Sequence, residues 1–489
     1  MAVVLEIRAS RLSWAEDLSD ALFFGYNDPV AVVLNPAPRN CMLDIGEFRA
    51  RTCSGVTRRS FLRLGTSLPV ALALPGTHRQ ARAAETAKAK SVIFVFLWGA
   101  PSHVDTFDPK PNAPAEYRGP FGVISTRTPG VHFSELLPHM AVRSDRFTLI
   151  RSNVGIATSS GHPKGGTVAL TGYEEQPEPV QPTFGSIIAK HRGYGGYLPP
   201  FISLANGKLT AGGEYIKGDG GGKLSRAHDP FMVGCSQQGE VKIPSLKILE
   251  GLSPHRISDR RERLNRLDVE RSLLDSKMVG QWQRTYGSAY DLLMNPKARS
   301  ALDLTRESQA TRARYGQSPF GQSALLARRL VEAEVPYVQL NYSRDVDAFN
   351  PGFEIGWDTH IYNFELLQDQ LCPIFDRAFT ALLDDLYDRG LMDQTLVVCK
   401  GEFGRTPKIS NRAARDHWTN CYFSIWAGAG VEPGRVIGES DRLGQAPLSG
   451  PIVTPLRVGT TIAELAGLSS QTRAEMQVLE GGTVIDELF

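Results

Sequence analysis

Cysteine is scarce in this chain, with six in 489 residues, and two of these, Cys41 and Cys53, fall near the N-terminus. The others, Cys235, Cys372, Cys399 and Cys421, are too few to staple a large domain, and their pairing cannot be read from spacing. Cys399 within an apolar run and Cys372 within a helical pattern suit buried free thiols at least as well as a bridge. Charge of one sign is lacking too: 54 Lys and Arg stand against 52 Asp and Glu, a net charge of +2. That balance excludes the global basic field that draws a chain to nucleic acid or to an anionic membrane. The glycine-rich stretch from Gly207 to Gly222 holds no phosphate-loop pattern following a strand and opening a helix. It reads as a flexible loop over a surface or a pocket rim.

What remains is an ordinary globular composition, 42% apolar and 22% charged, enough for one large α/β domain or two smaller ones. Near the N-terminus, Thr57-Arg58-Arg59-Ser60-Phe61-Leu62 precedes the weakly apolar L-G-T-S-L-P-V-A-L-A-L-P and then Ala81-Arg82-Ala83, the order of a twin-arginine export signal and its cleavage site. The apolar run is short and broken by proline, so it does not span a bilayer, and no membrane segment is expected in the mature chain. Met42 lies at the usual short distance before such arginines. We therefore expect residues 1–41 to be a spurious extension, 42–84 the signal region, and 88–489 the α/β domain, exported through the twin-arginine machinery to the periplasm or beyond.

Within that domain Ser91–Trp98 is a continuous apolar run bounded by Gly99 and Pro101, the pattern of a central buried strand. Further strands are expected at Phe147–Arg151, Tyr337–Asn341 and Thr395–Cys399, and helices at Lys164–Thr171 and Phe320–Glu334. Another helix, Thr454–Leu468, has Thr454 as its cap and Pro455 at its first position. Leu367, Leu371, Ile374, Ala378, Leu382 and Leu386 form one apolar stripe of a long helix that Gly390 closes. Charged and apolar residues alternate at helical spacing from about 254 to 311, which predicts a helical insertion. Strands alternating with helices predict a doubly wound, mainly parallel central sheet flanked by helices.

Five motifs stand in the expected loops: Gly99-Ala-Pro-Ser-His103-Val-Asp105, Gly161-His162-Pro-Lys-Gly165, Trp357-Asp358-Thr359-His360, Gly401-Glu402-Phe403-Gly404-Arg405-Thr-Pro407, and Arg415-Asp416-His417-Trp418. In this order they resemble the DUF1501 proteins, a branch of the alkaline phosphatase and sulfatase superfamily. The resemblance implies an alkaline-phosphatase-like fold and a metal-dependent hydrolase of phosphate or sulfate esters. Its substrate would be an ester-bearing small molecule or a sulfated or phosphorylated polysaccharide. A member that has lost catalysis and binds an anionic polysaccharide or a cell-surface partner is the alternative.

Such chemistry needs cations to neutralise the transferred group, and Asp, Glu and His supply the oxygen and nitrogen that Zn²⁺ or its relatives accept. Asp358 and His360, two apart on an extended segment, point the same way and could grip one ion. By resemblance His417 completes that shell, while Asp416 is either a ligand or an orienter of its neighbour. By the same resemblance Glu402 is the remnant of a second metal site, for which His103 and Asp105 are the nearest candidates at the first strand's end. Phe403 stands where the superfamily has a histidine, and phenylalanine cannot ligate. Arg405 either supplies the missing charge and holds an oxyanion, or pairs with Glu402. For the nucleophile Ser160 leads, with Ser159 and then Thr158 behind it and His162 close by. The C/S-x-P-x-R motif in which sulfatases mature a cysteine is absent. The expected cofactor is a divalent metal, Zn first, then Mn, Ca or Mg.

Overall fold

Every position of Ser91–Phe96 is buried, as a strand covered on both faces must be. This is β1 of a computed structural model that describes residues 88–175, 178–194, 196–205, 207–243, 295–347 and 356–489. The expected leader, and the greater part of the expected insertion, lie outside the described residues. The end of that insertion is helical, at Pro296–Leu302 and Gln309–Tyr315.

The other strands of the central sheet are β2 Thr148–Asn153, β3 Phe201–Leu204, β4 Phe231–Cys235, β5 Val241–Lys242, β6 Tyr337–Asn341, β7 Thr395–Lys400, β8 Tyr422–Ala427 and β9 Val436–Ile437. They lie in the order β9-β2-β8-β7-β1-β6-β3-β4-β5. Around β1 the pairing is parallel, to β6 on one side and β7 on the other, and onward to β3 and β4. β8 is antiparallel to both β7 and β2, and β5 is antiparallel to β4. The chain is thus mixed α/β with a mainly parallel sheet.

Alternation along β1 divides the core in two. Ile93 and Val95 face a cluster with Leu326 and Leu330 of α3 (Pro319–Glu332) and Phe375, Phe379 and Leu382 of α4 (Cys372–Asp388). Val92, Phe94 and Phe96 face the other cluster, which holds Leu170 of α1 (His162–Thr171), Ile187 of α2 (Phe184–Arg192) and Ile462 of α5 (Pro455–Leu465). Each such Leu, Ile or Phe contributes about 1.5–3 kcal/mol by leaving water. Leu367 and Leu371 of the expected stripe lie in a π-helical turn leading into α4, all but Ile374 of the stripe is fully buried, and Gly390 beyond α4 has φ +66°.

Two local expectations are corrected. Gly207–Gly222 is not a plain loop: Thr210–Ala211 and Glu214–Tyr215 form a hairpin, joined by Asp345–Val346 as a third strand. Its turn residues Gly212 and Gly213 have φ of +55° and +83°, which a two-residue hairpin of this kind demands. And β8, which the sequence reading did not anticipate, sends the chain back across the sheet. Cys235, Cys372, Cys399 and Cys421 are all free and buried.

Candidate metal centre

The parallel strands β1, β6 and β7 end at one edge of the sheet, where a crevice for chemistry is expected in this architecture. Four segments meet there first: the exits of β1, β6 and β7, and the start of α1 after β2. The fifth, His417–Trp418, pairs with Gly404–Arg405 of the β7 exit and arrives because β8 is antiparallel and therefore begins at that same edge. Gly99, just beyond β1, has φ +108°, and a Cβ built on it would stand 2.4 Å from the backbone nitrogens of Trp357 and Asp358. Only glycine lets these two chain segments touch backbone to backbone.

The side chains they carry converge on one carboxylate oxygen. Asp358 Oδ1 lies 3.0 Å from His162 Nε2, 3.2 Å from His360 Nε2, 3.5 Å from His417 Nε2 and 2.7 Å from Arg405 Nη2. His360 Nε2 and His417 Nε2 are 2.8 Å apart. One ligand atom from each of His162, Asp358, His360 and His417 falls within 4.8 Å of all the others.

The tautomers follow from what stands behind the rings. His162 Nδ1 is 2.6 Å from Glu402 Oε1 and His360 Nδ1 is 2.7 Å from Asp416 Oδ1. A carboxylate accepts only, so in the neutral ring Nδ1 carries the proton and Nε2 turns a lone pair into the cluster. That is the carboxylate–histidine arrangement that orients metal ligands. His162 Nε2 is buried and has no hydrogen-bond partner, its approach to Asp358 being badly directed for one. An orphaned imidazole nitrogen aimed among three other donors fits a bound cation. Donors around a tetrahedral ion with bonds of about 2.0–2.1 Å are roughly 3.3 Å apart, close to these separations. Three nitrogens and one oxygen favour Zn²⁺ or a neighbouring transition metal over Ca²⁺ or Mg²⁺, which take oxygen ligands.

Electrostatics agree with the geometry. Burial pushes the Asp358 carboxyl up, but its contacts with His162, His360, His417 and Arg405 more than reverse this and hold it far below the carboxylate range. For His417 burial dominates and brings the ring down to about 4, so it is neutral at physiological pH. For His162 burial also lowers the pKa, yet contacts with Asp358 and Glu402 outweigh it and the net shift is upward.

The remaining expected residues divide around this cluster. Glu402 stands behind His162 and also accepts from Gly99 N at 3.1 Å. Asp416 stands behind His360. Arg405 pairs with Asp358, and its other N–H groups go to the carbonyls of Gly99, Ala100, Trp357 and Arg415, leaving none aimed at solvent. Asp105 is gripped in a buried fork by Arg415, at 2.6 and 2.8 Å, and does not join the cluster. Neither does His103, whose Nε2 meets Gly444 O at 2.8 Å. Ser159 is buried with its hydroxyl 3.4 Å from Glu174, to which Thr158 also donates, and Ser160 is exposed. Phe403 packs its ring on His162 at 5.4 Å and on His417 at 4.8 Å.

Two groups escaped the sequence reading. Gly99 was read as the end of an apolar run and the start of a motif, with no role of its own, although a Gly-x-Pro directly after a strand signals a special turn. Lys400, the last residue of β7, is fully buried with no hydrogen-bond partner, its ammonium 5.3 Å from the Tyr422 ring centre. Burial lowers its pKa to about 7 against the attraction of Glu402.

No curated protein matches the chain. Among solved structures it is similar to Ps i-CgsB in complex with k-i-k-neocarrahexaose, at 12% identity over 80% of this chain and 74% of that one, TM-score 0.39. It is likewise similar to the phosphonate monoester hydrolase SpPMH from Silicibacter pomeroyi, at 11% identity over 81% and 78%, TM-score 0.34. The family model described as "Protein of unknown function (DUF1501)" matches residues 89–488, a span that contains all of the side chains just placed, and the chain belongs to that family.

Proposed function

We propose that this protein is an exported, metal-dependent hydrolase of phosphate or sulfate esters, borne by small molecules or by a polysaccharide. The observation that carries the proposal is the convergence of His162, Asp358, His360 and His417 on one point at the carboxyl edge of the sheet. A divalent ion held there would neutralise the ester's charge and make water nucleophilic at neutral pH.

The chain's own residues prepare the rest. Glu402 and Asp416 fix two rings by their Nδ1 protons, and Arg405 holds the same Asp358 oxygen that the imidazoles face. The side chains of His162 and Asp358 are 7% and 9% exposed, those of His360 and His417 18% and 22%, so an ester approaches from the His360–His417 side. The start of α1 has no side-chain cap and no acidic residue in its first turn, which leaves the positive end of the helix open to an anionic group. Ser159 and Thr158 are engaged by Glu174, which leaves the exposed Ser160 or a metal-activated water as the nucleophile.

The test is hydrolysis of aryl phosphates and aryl sulfates by the native protein, the metal-stripped protein and an Asp358→Asn variant. Turnover should fall at least a hundredfold on stripping and in the variant, and return to the stripped native protein with Zn²⁺. Equal turnover in all three would overturn the proposal. Export rests on the twin-arginine pattern at Arg58-Arg59. It predicts a mature N-terminus just after Ala83 in the periplasmic or secreted fraction, and a peptide from residues 1–41 would refute the start at Met42.

A further inference from the structure

Among the described residues, the two carboxylates expected at a second ion, Glu402 and Asp105, are both engaged by protein. Glu402 is fully buried, and both its oxygens are used: Oε1 faces His162 Nδ1 at 2.6 Å and Gly99 N at 3.1 Å, Oε2 faces Gly99 N at 3.3 Å. Asp105 has both oxygens in the Arg415 fork and takes a further bond from Asn363 at 3.2 Å. His103 keeps one free nitrogen, Nδ1, buried without a partner. One nitrogen is not a site. Phe403 fills the space against His162 and His417 with hydrocarbon. Among the described residues one group alone could hold an ion.

We infer that the centre is mononuclear: the His162 imidazole occupies the place beside Glu402 that a second cation would take, and Glu402 acts as a positioning residue that aims His162 at the single ion. The inference rests on reading the four-residue cluster as a metal centre. Electrostatically the arrangement closes, because an imidazole N–H and a backbone amide already serve the buried carboxylate, and a second dication on Oε2 would have to compete with the Gly99 amide. It also gives Phe403 a purpose, since an apolar ring there keeps water and a further ion out while holding two imidazoles in place.

Calorimetric titration of the metal-free protein with Zn²⁺, together with elemental analysis, should give one ion per chain. X-ray absorption at the zinc edge should show nitrogen and oxygen neighbours, imidazole among them, and no metal–metal distance near the ~3.5–4 Å of paired-ion sites. Glu402→Gln should still bind one ion, with affinity weakened about 10–100-fold, as expected when the partner behind a ligating histidine is changed. Two ions in the native protein falling to one in Glu402→Gln would overturn the inference while leaving a metal-dependent hydrolase standing. No ion at all would overturn both. The native stoichiometry decides the matter even if the variant fails to fold.

Discussion

The backbone amide of Gly99 donates to the carboxylate of Glu402 across a separation of 303 residues. That bond ties the exits of β1 and β7 together, and Glu402 in turn touches His162 of the four-residue cluster. Gly99→Ala would drive a methyl group into the Trp357–Asp358 backbone and demand a φ of +108° from a residue with a side chain. We expect a loss of about 2–4 kcal/mol in chemical denaturation, with weakened Zn²⁺ binding because Asp358 is displaced. Unchanged stability and affinity would show that the contact between these segments is slack.

Asp105 and Arg415 form a buried ion pair with both side chains at 0% exposure. Removing one partner strands a charge, so Asp105→Ala or Arg415→Ala alone should cost about 3–5 kcal/mol, whereas an apolar pair of similar volume should cost much less. Urea unfolding of both singles and of the Asp105→Leu/Arg415→Met double variant checks this. A double variant as unstable as the sum of the singles would contradict it.

Lys400 offers a prediction in pH. Its folded pKa of about 7 lies below the 10.5 of an ordinary lysine. Between those values the unfolded chain binds a proton that the native state lacks, so native stability rises with pH through this window and the handicap is fullest below pH 7. Lys400→Met should therefore be the more stable at neutral pH, by on the order of a few kcal/mol, and its advantage should shrink toward pH 10. An advantage that does not change with pH would refute the argument.

His162 works in the opposite sense. In the metal-free protein burial lowers its pKa, yet Asp358 and Glu402 raise it above 6.5 on balance. Its contribution to metal-free stability is full below the unfolded value and is lost as pH rises through the folded one. Ion uptake needs Nε2 unprotonated, so affinity should climb through the same window with proton release. Zinc titrations in buffers of different ionisation enthalpy will report that release, and its absence would exclude His162 as a ligand.

Much of the fold was legible in the sequence because β1 and β7 are largely continuous apolar runs and the helices facing the sheet carry one-sided stripes. Tyr422–Ala427 carries the aromatic and β-branched residues of a buried strand and was readable as one; its antiparallel direction was not, because that depends on the path of the chain before it. The Gly212–Gly213 hairpin looked like a flexible rim because glycine signals both. At the site, Asp358 and His360 could be paired from their spacing, since an extended segment puts alternate residues on one side. That Glu402 would face His162, 240 residues away, and that Asp105 would turn to Arg415, 310 away, depends on how strand ends assemble. No local pattern encodes that.

The crowding of Arg405 and three imidazoles around Asp358 Oδ1 bears on how the centre is built. Arg405 on Asp358, Glu402 on His162 and Asp416 on His360 hold these side chains by protein contacts that need no ion, so the scaffold should behave as a socket and not as a staple. Chelation should then leave the domain folded, and one transition metal should be exchangeable for another without passing through a denatured chain.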